Sequence, residues 1–152
     1  MIISLAAMTR FPLSKSEELD LTPSRHWPKP ILAIAPDPGE GPVLVMVEYQ
    51  IRPERAQEFT LAMQAVREQR LRDGAFRSSL YRDPADPSRY LETFVVESWA
   101  EHLRLYERAT VSDRIVEERA RALHIGRRPP AVSHYVYAHT PDVPDDNKAV
   151  QQ

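Results

Sequence analysis

Between residues 43 and 138 the spacing of apolar positions switches repeatedly between two, the period of a strand, and about 3.6, the period of a helix. Val43, Val45, Val47, Tyr49 and Ile51 alternate with Leu44, Met46, Glu48 and Gln50, which predicts a strand whose first half is apolar on both faces. Pro53 then stands where a helix begins, with Glu54 beside it in the first turn, and Phe59, Ala62, Met63 and Val66 recur at helical spacing as far as Asp73-Gly74. This predicts one helix of about five turns. Two strands follow, Ala75 to Arg82 and Arg89 to Glu97, joined by the proline-containing turn Asp83-Pro-Ala-Asp-Pro-Ser88. Ser98-Trp-Ala-Glu101 matches a capping box and opens a second helix carrying Trp99, Leu103 and Tyr106 in register. Thr110-Val-Ser-Asp113 offers a second cap and predicts a bend before Ile115, Val116 and Leu123, and Gly126 and Pro129-Pro130 end the helix. Ala131 to Ala138 closes the series as a fourth strand, with Val132, His134 and Val136 on one face and Ser133, Tyr135 and Tyr137 on the other.

The expected fold is therefore α+β: a ferredoxin-like βαββαβ unit over residues 43–138, with a four-stranded antiparallel sheet and both helices on one face. The other face has no cover within the chain, yet strands of both parities carry apolar residues: Leu44 and Met46 as well as Val45 and Val47, Leu91 and Val95 as well as Phe94 and Val96. An exposed sheet of that composition is usually covered by a second copy about a two-fold axis, so a homodimer is expected in which two sheets meet.

The flanks read differently. Seven of the 14 prolines fall between Phe11 and Pro42, so residues 1–42 are expected to be an extended arm or linker, with Trp27 needing a surface to lie on. The apolar start, Met1 to Met8, is far short of the ~20 residues that span a bilayer and has no basic region before it. Residues 139–152 are expected to be a disordered tail. A formal net charge of −2 gives no general attraction to nucleic acid or anionic lipid, and no nucleic-acid partner is expected. The three lysines against 17 arginines fit the codon usage of a GC-rich genome. The absence of cysteine excludes disulfides, thiolate metal sites and a cysteine nucleophile.

The run Val43-Leu-Val-Met-Val-Glu-Tyr-Gln-Ile-Arg-Pro53, the helix end Leu71-Arg-Asp-Gly74 and Phe94-Val-Val-Glu-Ser-Trp-Ala-Glu-His-Leu103 resemble the soluble C-terminal domain of a bacterial major facilitator superfamily, exporter-like transporter. That domain is similar to the dimeric α+β barrels of the antibiotic biosynthesis monooxygenase superfamily. Leu19-Asp-Leu-Thr-Pro-Ser-Arg-His-Trp-Pro28 resembles the segment leading out of the last membrane helix in such transporters, which would make residues 1–13 the end of that helix. The resemblance implies a cytoplasmic domain, associated with the inner membrane through a permease portion of the same protein.

Candidate chemistry is sparse. There is no Gly-x-Ser-x-Gly elbow, no phosphate-binding loop and no dinucleotide fingerprint, and Glu117 and Glu118, flanked by Arg114 and Arg121, read as a surface feature, as do Arg67, Arg70 and Arg72. The residues that could line a ligand site are Tyr49, Tyr81, Trp99, His102, Tyr106 and His134; for each, core packing, interface packing or a solvated helix face is the competing explanation. His134 and His139 have opposite strand parity, so they do not share a metal, and no metal or cofactor is expected. Haem-degrading relatives need an asparagine and a histidine in the pocket, whereas Asn147 here is in the tail and Tyr106 stands where relatives often carry the histidine. The expectation is a non-catalytic dimeric domain serving oligomerisation or the sensing of a small apolar or aromatic ligand. The alternative is a cofactor-independent monooxygenase acting on a small aromatic substrate.

Overall fold

A computed structural model describes residues 21–22 and 30–139; the expectations for residues 1–13, for Trp27 and for the tail beyond 139 lie outside the described residues. The elements are β1 (Val43–Gln50), a 3-10 turn (Pro53–Arg55), α1 (Ala56–Asp73), β2 (Arg77–Arg82), β3 (Arg89–Val96), α2 (Trp99–Arg108), α3 (Val111–Arg121) and β4 (Ala131–Val136). The strands form one antiparallel sheet in the order β2-β3-β1-β4, with Val45 opposite Phe94 on one side and His134 on the other. This is the ferredoxin-like arrangement. The expected barrel is not closed in the single chain: β2 and β4 are free edges, because four strands of this twist cover only one wall.

Local chemistry accounts for the breaks between elements. Gly74 ends α1 with φ of 125°, a conformation that penalises any side chain, and its amide and that of Ala75 both return to the Arg70 carbonyl. The predicted bend is a full interruption. Thr110 Oγ1 accepts from the Asp113 amide at 3.2 Å while the Asp113 carboxylate accepts from the Thr110 amide at 2.9 Å, so α3 starts afresh. At the start of α2 only half of the expected box forms: Ser98 Oγ accepts from the Glu101 amide at 3.2 Å, but the Glu101 carboxylate pairs with Arg104 and Arg108.

The segment before β1 is tied down through its backbone. The Glu40 carbonyl accepts from the Trp99 amide at 2.7 Å and the Pro38 carbonyl from the Ala100 amide at 2.9 Å, which serves two of the free donors at the start of α2. The Thr22 carbonyl does the same for Val111, the first residue of α3, at 2.8 Å. Gly41 is pressed against the β3–α2 junction, where a β-carbon would come within 2.1 Å of the Glu97 carbonyl oxygen.

All three helices pack on one face. Val43, Val45 and Val47 of β1 are fully buried there, together with Phe59 and Val66 of α1 and Phe94 and Val96 of β3. Among the described residues nothing covers the opposite face. Across it Leu44 lies between Val95 and Tyr135, Met46 between Thr93 and Ser133, and Leu91 between Glu48 and Tyr81, with Tyr81 and Tyr135 more than half exposed.

Candidate functional site

Four of the six predicted ligand-site residues meet beneath α2. Trp99, His102 and Tyr106 follow one another at spacings of three and four, so they share the face of α2 that turns toward the sheet. His134 reaches the same place from β4, on the helix-side parity with Val132 and Val136. The His102 and His134 rings are 4.7 Å apart between centroids, and the Trp99 ring lies 5.0 Å from His102. Tyr106 Oη lies 3.1 Å from His102 Nε2 and 3.5 Å from His134 Nε2. His102 is only 2% exposed, which corrects the reading of it as a solvated surface residue; Leu103, expected on the inner face, is instead exposed. Burial, aided by the nearby His134, lowers the His102 pKa to about 4, and burial lowers that of His134 as well, so both imidazoles are neutral at pH 7. Burial raises the Tyr106 phenol to about 12, partly opposed by Arg70.

Tyr49 and Tyr81 do not join this cluster. Tyr49 lies in the core 5.1 Å from the Phe59 ring and donates to Glu92 Oε2 at 3.1 Å; burial, followed by the Glu92 charge, raises its pKa. Tyr81 stands on the open face of β2.

Next to the cluster is a polar group that reading the sequence left on the surface. Arg70 is buried, donating from Nε to Glu92 Oε1 at 2.9 Å and from a terminal guanidinium nitrogen to Glu117 Oε1 at 2.6 Å, while its guanidinium carbon lies 4.8 Å from the Phe94 ring centre. Gln69 Nε2 also donates to Glu117 Oε1, at 2.9 Å. The two carboxylates hold Arg70 protonated against the cost of its burial. Of the residues read as surface features, Glu118 does pair with Arg114 at 2.7 Å, and Arg72 crosses to Asp113. The missed signal was periodic: Arg70 continues the buried series Phe59, Met63, Val66, and Glu92 shares the buried strand phase of Tyr90 and Phe94.

A cavity of about 20 Å³ separates the two groups, lined by Gln69, Arg70, Phe94, His102, Tyr106 and Glu117 among others. It has room for about one water molecule. Two buried polar atoms without hydrogen-bond partners among the described residues, His102 Nδ1 and Gln69 Oε1, belong to residues lining it.

The fold and cluster define a ferredoxin-like α+β domain with a packed polar interior. Solved structures share the fold. A presumed antibiotic biosynthesis monooxygenase from Caulobacter crescentus CB15 superposes with a TM-score of 0.57 at 14% identity, covering 66% of this chain and 93% of that one. Another from Bordetella bronchiseptica gives 0.55 at 18% identity, covering 66% of this chain and 100% of its own. Rv0793 from Mycobacterium tuberculosis gives 0.52 at 18%, covering 66% and 99%. No curated protein matches the sequence. The chain belongs to the transmembrane secretion effector family, a group of the major facilitator class, whose sequence model matches residues 1–142. Among the described residues no helix is long and apolar enough to cross a membrane.

Proposed function

We propose that this domain is a non-catalytic, self-pairing element of a transmembrane secretion effector. It holds copies of a membrane permease together on the cytoplasmic side, and the cluster beneath α2 senses a small ligand. The observation that carries the reading is the uncovered sheet face. Leu44, Met46, Leu91 and Val95 form a continuous half-buried centre, rimmed by Tyr81, Tyr135 and Glu48, an apolar middle with a polar edge of the kind that protein interfaces use. Two such sheets facing one another would supply the second wall that the single chain lacks.

Sedimentation velocity at micromolar concentration tests the pairing. The wild-type chain is expected to run as a dimer, and Met46→Glu, which places a charge at the centre of the face, as a monomer of unchanged circular dichroism. A wild-type chain that sediments as a folded monomer would overturn the proposal.

The second reading is a cofactor-independent monooxygenase. The resemblance of the fold to proteins named for that activity favours it, as does the convergence of two neutral imidazoles and a phenol in one place. Oxygen uptake with anthrone-like or quinol compounds, abolished in Tyr106→Phe, would support it over the first reading.

A further inference from the structure

The cluster beneath α2 presents the same nitrogen from two imidazoles to one phenolic oxygen, at 3.1 and 3.5 Å. In a tetrahedral site with metal–ligand bonds of about 2.0–2.1 Å, neighbouring ligand atoms lie roughly 3.3 Å apart, so these separations are also the edges of a coordination polyhedron. We propose that His102 Nε2, His134 Nε2 and Tyr106 Oη form a binding site for a divalent transition-metal ion of the zinc type, with the fourth position open to an exogenous ligand. This deepens the ligand-sensing part of the function proposed above and does not depend on self-pairing.

A second observation points the same way. In a metal-free cluster His102 can donate from Nε2–H to Tyr106, which leaves its buried Nδ1 without a partner. A metal on Nε2 requires the His102 proton to sit on Nδ1 instead. The cavity of about 20 Å³ then accommodates a water that accepts from Nδ1–H and donates to Gln69 Oε1, the other buried atom lacking a partner. The metal-loaded state thus gives both orphaned atoms a role, in the way that outer hydrogen bonds orient histidine ligands. The proton inventory balances: the His102 proton passes from Nε2 to Nδ1, the phenolic proton of Tyr106 leaves to solvent, and no electron moves. Among the described residues no three His, Cys, Asp or Glu side chains converge, so the phenol is what completes the set.

The test uses the untagged full chain after treatment with a chelator. Titration with Co²⁺ is expected to produce the visible bands of a tetrahedral ion, displaced by Zn²⁺, with one ion per chain. His134→Gln and Tyr106→Phe should each weaken Zn²⁺ binding at least about tenfold. Calorimetry in buffers of different ionisation enthalpy should report one proton released per Zn²⁺ bound at pH 8. Absence of tetrahedral cobalt bands, or equal binding by wild type and by both variants with intact circular dichroism, would overturn the proposal; the latter result would place the ion on histidines outside the cluster. Sedimentation of the same samples separates this outcome from that of the pairing reading.

Discussion

Replacing Arg70 by methionine should be among the most destabilising single changes in this domain. Methionine keeps much of the side-chain volume, so the effect is largely electrostatic: Glu92 and Glu117 are left buried without the guanidinium that both contact, at 2.9 and 2.6 Å. Removing one partner from a buried ionic group costs about 3–5 kcal/mol, a large part of the ~5–15 kcal/mol that holds a typical domain folded. With a urea slope of about 1.5 kcal/mol per molar, a loss of 3 kcal/mol lowers the midpoint by about 2 M. Unfolding followed by tryptophan fluorescence reads this directly, because Trp99 is buried beside the affected core. The deficit should shrink at pH 5 relative to pH 8, as protons neutralise the stranded carboxylates, and the triple variant with Glu92→Gln and Glu117→Gln should recover much of the loss. An Arg70→Met chain within about 1 kcal/mol of wild type, with no pH dependence in the difference, would refute the assignment of this group as a buried network.

Other expectations follow from the same contacts. Thr110→Val removes one half of the cap that restarts α3 and should cost about 1 kcal/mol by urea unfolding. The depressed His102 pKa means that the unfolded chain binds a proton more readily than the folded one. Its contribution is therefore present above pH 6.5 and is lost as pH falls toward 4; with a chelator present, the wild type should lose roughly 1–3 kcal/mol more than His102→Gln over that range. Gly41→Ala forces a methyl group onto the Glu97 carbonyl and should lower the melting temperature by several degrees, about as much as a loss of 1–2 kcal/mol produces. Unchanged melting would show that the segment before β1 moves freely aside.

The sheet and its helices were legible because apolar period and capping residues agree: Val43 to Tyr49 alternate, Gly74 stops α1, and Thr110 with Asp113 starts α3. The candidate site was legible only in part. Trp99, His102 and Tyr106 of α2 meet His134 of β4 across the helix-covered face of the sheet, and that meeting is a tertiary fact that no local pattern encodes. Tyr49 and Tyr81 were drawn in by residue type alone; the sheet's pleat sends them to opposite faces. Arg70, Glu92 and Glu117 were passed over for the complementary reason. Charge argued for the surface, while the helical and strand phase of each placed it inside, and phase prevailed because the three charges satisfy one another.

The backbone bonds from Glu40 and Pro38 to the first amides of α2 make that helix answerable to the strand of chain ahead of β1. A tug on residues 37–40 would be felt first at Trp99, one residue from the cap and three from His102. Strain arriving along the polypeptide from a moving neighbour could thereby tilt the roof over the two imidazoles without any signal crossing the sheet, giving this domain a mechanical tether as well as a chemical interior.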